Sequence, residues 1–418
     1  MSEPKTLIVG AGLAGLCCAK HFSEAGIECQ ILEASDRIGG RVQTDQVDGF
    51  LLDHGFQVLL TAYPEAQSVL DYNALNLQPF DPGALIQKNN RWYRFADPLR
   101  QPQHALSTLF SPLATIGDKL RILKLKNQLL GRSLEEIYDR PETTTLQAIR
   151  NRGFSPTIIE SFFRPFLSGV FLEDKLETSS RMFEFVFKMF SAGNVALPEK
   201  GMGEIPRQLA SALPSDSIRL NTPVSHVQTG IVTLADGQQL EADHIVLATP
   251  APTTKYLLGN RGGKPAEDQS WNGVTCLYFA AAKTSFANRT LILNGSGQGP
   301  ISNMCIPSSV ASSYAPQGQS LISVSVLNAD ALYGDNLTEA VKSQLSQWFG
   351  AELKDCRHLK TYSVPYSLPR QNPPHLSPVQ KDARIQDGLY QCGDFLDTGS
   401  IQGAFMSAGR VAKLILNR

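Results

Sequence analysis

Gly10-Ala11-Gly12-Leu13-Ala14-Gly15 is the first segment of this 418-residue chain whose residue types and spacing imply a chemistry. It reads G-x-G-x-x-G. It follows the β-branched, apolar run Thr6 to Val9 and opens a helix-forming run, Leu13 onward, that ends at Gly26. In that setting Gly10 permits a tight turn, Gly12 lets a pyrophosphate approach the backbone, and Gly15 lets the helix pack on the strand. The first helical residues, Leu13 and Ala14, carry unpaired N–H groups and the positive end of the helix dipole, which suit phosphate. Glu33 closes a second apolar strand about 20 residues on, where a carboxylate can hold ribose hydroxyls and would repel a 2′-phosphate. The bland alternative is a glycine turn beside a surface glutamate.

The chain continues Glu33-Ala34-Ser35-Asp36-Arg37-Ile38-Gly39-Gly40-Arg41. Gly39-Gly40 permits a backbone wrap close to a flat ligand, and Arg41 offers a fixed fork to pyrophosphate. G-x-G-x-x-G followed by E-A-x-x-R-x-G-G-R resembles the flavin amine oxidase superfamily, which includes amine oxidases, protoporphyrinogen oxidases and phytoene-type desaturases. The resemblance implies non-covalent FAD. Ala34 and Arg37 join the cofactor loop by that likeness. Gly55, Phe56 and Gln57 match a segment passing beside the flavin. Val224 matches a residue whose backbone lies against adenine, and Ala248-Thr249 match a strand end near the flavin. Gly393-Asp394 and Ile401-Gln402-Gly403-Ala404 match the C-terminal flavin motif, in which the Asp holds pyrophosphate or ribityl oxygens. A plain helix-capping role for Asp394 stays open. His54 and Gln57 are the candidates beside the reacting atoms, although strand alternation would equally turn His54 away; no other catalytic residue is assigned. Cys356 is the cysteine closest to the family's covalent flavin position and does not match it. The segment Lys200-Gly201-Met202-Gly203 departs from the family's usual G-G-M.

The elements that must position these residues read as an α/β fold. A Rossmann-like FAD-binding domain, built from the βαβ unit and a β-meander, spans residues 1–75, 200–255 and 385–418. An interleaved α+β substrate domain spans 76–199 and 256–384. Strands are expected at Ile27–Glu33, Asp53–Leu60, Val274–Ala281, Leu321–Leu327 and Leu389–Cys392. A helix is expected after Asp53–Leu60, with Pro64 in its first turn. Asn89-Asn90 marks a hairpin, and Gly230 and Asp236-Gly237 mark turns of a meander over Thr222–Ala248. Helices are expected over Ile116–Leu130 and Thr338–Phe349, and the Pro-rich stretch Pro365–Pro378 reads as a crossover loop.

Composition excludes several classes. Charged residues are 18% of the chain and hydrophobic residues 42%; a charged share below the usual ~25% argues for a large buried core. A net charge of −1 offers no basic field for nucleic acid. No apolar run reaches the length of a membrane span. Met1 to Pro4 carries no basic n-region, so a secretory signal is not expected and the reading is cytoplasmic. The seven cysteines, Cys17, Cys18, Cys29, Cys276, Cys305, Cys356 and Cys392, are scattered without metal or disulfide spacing and read as reduced core thiols. No metal is expected.

Nine of the 20 phenylalanines fall between Phe154 and Phe190. This segment is either core packing or the wall of a path for a large apolar substrate. Glu184 and Lys188 form the polar stripe of its last helix, a plausible i,i+4 pair. Family amine oxidases place an aromatic two residues before the motif matching Gln402-Gly403-Ala404; Ser400 stands there instead. Hydride transfer from a large apolar substrate, isoprenoid or tetrapyrrole, to flavin N5 is therefore expected ahead of amine oxidation. Two other readings are a prenyl-binding protein like the GDP dissociation inhibitors and a redox-neutral sugar mutase. Retention of Arg41, Asp394 and the Gly403-Ala404 turn disfavours the first; a scarcity of clustered arginines disfavours the second. Lys119, Arg121, Lys124, Lys126 and Arg132 interleave with leucines, so a peripheral membrane contact through residues 116–190 is expected if these charges face one way, as against an ordinary solvated face.

Overall fold

The computed structural model describes residues 6–98, 100–259, 270–284, 286, 289–329 and 334–416. Met1 and Pro4, read above for a signal, lie outside them. The strand Thr6–Val9 (β1) is buried along its whole length, as a strand covered on both faces of a parallel sheet must be. It pairs in parallel with Cys29–Leu32 (β2) on one side and His244–Leu247 on the other, with Ile8 opposite Ile31 and Val246. Ile218–Arg219 extends the sheet beyond β2. Leu389–Gln391 and the antiparallel Arg384–Gln386 extend it beyond His244–Leu247. Chain direction along the sheet reverses its order at β1, and the crevice at the carboxyl ends there is where an open α/β sheet binds ligands. The helix Leu13–Glu24 (α1) leaves β1 through that crevice, and Ile401–Leu416 packs against it.

A second, seven-stranded sheet runs Arg357–Pro369, Trp271–Ala282, Gln319–Val326, Asn303–Cys305, Leu291–Asn294, Gly83–Lys88, Arg91–Ala96. Its last two strands form the expected hairpin, turning through Asn89 (φ 52°) and Asn90 (φ 58°). Two successive left-handed residues are what a type I′ turn demands and asparagine tolerates. The three-stranded meander Val224–Gln228, Ile231–Leu234, Gln239–Glu241 is also present.

Three expectations change. Asp53–Leu60 is not one strand: Phe50–Asp53 pairs with Thr44–Val47, the chain turns through Gly55 (φ +97°), and pairing resumes only at Leu59–Leu60. Pro365–Pro378 is not all loop, because Arg357–Pro369 is one continuous strand; it lies at the sheet edge, where a missing N–H is tolerated. Glu184 and Lys188 do not pair. Glu184 is buried between Arg140 (3.2 Å) and Arg152, and Lys188 Nζ donates to the Leu129 and Arg132 carbonyls (3.0 and 2.8 Å) at the end of the Ile116–Leu130 helix. Burial on the Ser180–Ala192 helix forces the carboxylate onto longer-range guanidinium partners.

The largest apolar cluster runs without interruption from Ile8, Leu16 and Phe22 through Phe50, Leu52 and Tyr63 to Phe163, Phe183, Phe185 and Tyr278. Both sheets thus share one core. The cysteines are all free, and only Cys29 is less than buried.

Candidate functional site

Backbone bonds gather the ends of β1, β2 and His244–Leu247. Gly10 N donates to Leu32 O (2.8 Å) and Ala248 N to Val9 O (2.9 Å). Gly10 has φ +108°, and a Cβ on it would lie 2.9 Å from Ala248 O; a Cβ on Gly15 would lie 2.0 Å from Gly10 O. Gly12 differs. Its backbone (φ −73°, ψ 177°) suits any residue, and a Cβ there would meet no atom within 4 Å. The space above Gly12, at the start of α1 beside the buried Leu13 and Ala14, is open. The Gly39-Gly40 loop closes one side: Gly39 N donates to Ala11 O (2.8 Å), Gly39 bridges Gly12, and a Cβ on Gly40 would stand 3.2 Å from Gly12 Cα.

Glu33 Oε2 accepts from Ala11 N (2.7 Å), and Oε1 accepts from Ser35 N and Oγ (2.9 and 2.8 Å). Of about four lone-pair sites on a carboxylate, one remains. Thr222 N donates to Glu33 O (2.8 Å), which brings Val224 to the same end of the sheet.

Arg41 and Asp394 grip each other with parallel bonds, Nη1 to Oδ2 at 2.9 Å and Nη2 to Oδ1 at 2.7 Å, while Nη1 also reaches Ser367 O (2.7 Å). Asp394 is buried. The fork expected for pyrophosphate is therefore closed on a protein carboxylate. Gly393 N donates to Ser407 Oγ (2.9 Å). Gly403 N and Ala404 N donate to Ser400 Oγ and O (3.1 and 3.0 Å), and a Cβ on Gly403 would lie 1.9 Å from Thr398 O. Gln402, one residue after Ile401, is buried and accepts from Glu65 N through its Oε1 (2.9 Å).

Several other expected side chains have partners within the protein. Arg37 Nη1 binds Asp45 (2.6 Å). His54 Nε2 also meets Asp45 (3.1 Å), with its ring 4.6 Å from the Tyr362 ring. Lys360 and Tyr362 complete this hub (2.6 and 2.7 Å). Burial would raise the Asp45 carboxyl, but bonds from Lys360, Tyr362, Arg37 and His54 hold it well below the usual range. Phe56 packs edge-on against Phe80, Thr249 Oγ1 shares a bond with Thr254 Oγ1 (2.8 Å), and Ala34 is exposed. Gln57 stays at the site: its Nε2 donates to Arg41 O (2.8 Å), and its Oε1 is buried without a protein partner.

Sequence reasoning missed Trp271, which lies under the Arg41 guanidinium (5.3 Å) and meets Tyr366 edge to face (5.9 Å). It also missed Tyr63, stacked on Phe185 and hydrogen-bonded to Ser400. Neither sits in a recognisable motif.

The Lys200–Gly203 segment is held by Asp53, whose Oδ1 accepts from Met202 N (2.9 Å) and Thr44 Oγ1 (2.5 Å) and whose Oδ2 accepts from the Tyr314 hydroxyl (2.9 Å). Burial pushes this carboxyl up to about 6 against the opposing pull of those bonds. A raised folded value means the protonated form favours the fold, so its stabilisation is full below about pH 4 and is lost as pH rises through 6. Between pH 8 and pH 5 the native protein should gain about 1.4 kcal/mol from this group. Asp53→Asn should remove that gain in urea unfolding at the two pH values. Identical pH dependence in both proteins would show that Asp53 does not titrate there.

Three features fit a bound FAD: the open cradle over Gly12, the free acceptor site on Glu33, and the unpartnered Gln57 Oε1 beside the Arg41 loop. Comparison with known proteins agrees in kind. The profile of flavin-containing amine oxidoreductases matches residues 13–416. Protoporphyrinogen oxidase 2 of Arabidopsis thaliana is 25% identical over 174 residues, 42% of this chain and 34% of that protein. The L-amino-acid oxidase of Mus musculus is 26% identical over 322 residues, 68% of this chain and 47% of that protein. The chain thus spans a third to a half of these relatives' lengths. An oxidoreductase structure from Methanosarcina mazei superposes with TM-score 0.77 at 17% identity, covering 98% of this chain and 99% of that one, and so shares the fold.

Proposed function

Because the chain belongs to the family of flavin-containing amine oxidoreductases, we propose that it is an FAD-dependent oxidoreductase whose substrate is a large apolar molecule of isoprenoid or tetrapyrrole type. The bound flavin would supply the hydride acceptor at N5. The residues of this chain do the rest. The α1 N-terminus would hold the phosphates, Glu33 would offer its remaining lone pair to a ribose hydroxyl, and Gln57 Oε1 would accept from a cofactor donor.

One observation carries the substrate class. Phe95, Phe162, Phe166 and Phe190 form a continuous row of rings, with centroids 4.7, 5.5 and 5.1 Å apart. The last three are only half-buried. All three charges of the neighbouring Ser180–Ala192 helix, Arg181, Glu184 and Lys188, are bound internally, so this wall offers a cationic amine no free carboxylate from that helix. A second reading, amine oxidation, is favoured by Trp271 and Tyr366, which stand two aromatic rings beside the Arg41–Asp394 pair.

Anaerobic mixing separates the two. An apolar isoprenoid or tetrapyrrole should bleach the flavin at least ~100-fold faster than primary amines, polyamines or amino acids, which is about 2.7 kcal/mol of discrimination. Fast bleaching by an amine would decide for the second reading.

A further inference from the structure

We propose that the surface formed by the helices Ala105–Leu109 and Ile116–Leu130 docks on an anionic lipid bilayer. Ten large hydrophobic side chains are exposed among the described residues, and seven of them lie between Leu106 and Leu130. Phe110, Leu106 and Ile116 are 78%, 70% and 69% exposed. Such residues scattered singly need no explanation, but a contiguous group marks an interaction surface.

The group is contiguous. Leu106, Leu109 and Phe110 share one face at i, i+3, i+4. Ile116, Leu120 and Leu123 share another at i, i+4, i+7, opposite the buried Asp118, Leu125 and Leu129. Lys119 joins the two helices, its Nζ donating to Leu109 O (2.5 Å) and Ser111 O (3.1 Å).

Charge favours an anionic bilayer as the occupant. Residues 98–132 hold six arginines and lysines and one acid, Asp118. That acid is buried, capping the helix through Thr115 and binding Ser155. At roughly 100° per residue, Lys119 and Lys126 border the apolar stripe on one side and Lys124 on the other. The basic residues do not face one way: Lys126 pairs with Asp97 (2.5 Å) and Arg121 lies 3.7 Å from Asp118. The apolar stripe makes the surface, and the cations rim it, as in helices that lie in a bilayer interface. Ala96 N donates to Thr108 Oγ1 (3.1 Å), so the patch sits over Phe95 and the head of the phenylalanine row. A path from acyl chains to that row is the one link that rests on the apolar-substrate reading.

Flotation of the full chain with phosphatidylcholine vesicles, with and without about 30% phosphatidylglycerol, tests docking without any substrate. Binding to the anionic vesicles should exceed binding to neutral ones and fall as salt rises. Exchange of Leu106, Phe110, Ile116 and Leu120 for serine should lower it at least roughly tenfold. Flavin content and melting temperature should stay unchanged, since these side chains already face water. Lys124→Gln should weaken anionic binding alone. The proposal is overturned if the native chain stays unbound on anionic vesicles at low salt. Equal binding to both vesicles, or a dimer by light scattering that the serine variant dissolves, overturns it too; the latter would make the patch an interface between copies.

Discussion

Gly12→Val is expected to give a folded protein without flavin. Its backbone conformation is open to any residue and its Cβ direction is empty of protein, so the fold gives no reason for glycine there. The volume a side chain would fill is where a pyrophosphate must approach the α1 N-terminus. FAD binding should weaken by at least ~100-fold, about 2.7 kcal/mol, with a melting temperature close to that of the native apoprotein. Gly15→Val is the contrast: its Cβ would lie 2.0 Å from Gly10 O, so it should lose flavin and fold together. The ratio of flavin to protein absorbance, measured beside thermal unfolding, distinguishes the two. Flavin retained by Gly12→Val would remove the cradle from the cofactor site.

The second large effect concerns Arg41→Ala. It leaves the Asp394 carboxylate buried without its guanidinium, and breaking one partner of a buried pair destabilises by about 3–5 kcal/mol. The lower end is expected, because Arg41 is about a third exposed. Flavin should be lost as well, since the pair holds the Gly39-Gly40 loop against the loop before Ile401. The double variant Arg41→Met, Asp394→Asn should recover most of the stability and none of the flavin. Denaturant unfolding of the native protein, Arg41→Met, Asp394→Asn and the double variant closes a double-mutant cycle; additive losses would mean the two residues are not coupled.

How much of this was legible depended on sequence distance. The βαβ opening, the Asn89-Asn90 hairpin and the Ile116–Leu130 helix are local patterns, written in glycine spacing, turn residues and a Thr115–Asp118 capping box. Glu33 could be placed because spacing along one βαβ unit fixes it. Arg41 lies in the glycine-loop pattern that suits pyrophosphate, but its partner in the structure lies in another part of the chain, and no local rule says that Asp394 takes both of its Nη groups. Arg37 and His54 converge on Asp45 for the same reason: Lys360 and Tyr362 arrive from a distant edge strand. Glu184 and Lys188 had the spacing of a helix pair, yet burial of one and a nearby helix end for the other overrode it. Facing direction on the Ile116–Leu130 helix was likewise hidden, because it carries apolar residues on two sides and only packing decides which is inward.

The Arg41–Asp394 pair has a consequence for how the chain is made. Its members are 353 positions apart, and at about 5–20 residues per second the ribosome needs roughly 20–70 s to travel between them. For more than half of that interval the nascent β1–α1–β2 unit lacks His244–Leu247, and to its end the unit lacks Leu389–Gln391. The Arg41–Asp394 clasp cannot close until the last strand emerges, so FAD is expected to load after translation, and polypeptides halted before Asp394 should accumulate as colourless apoprotein however much FAD the cell holds.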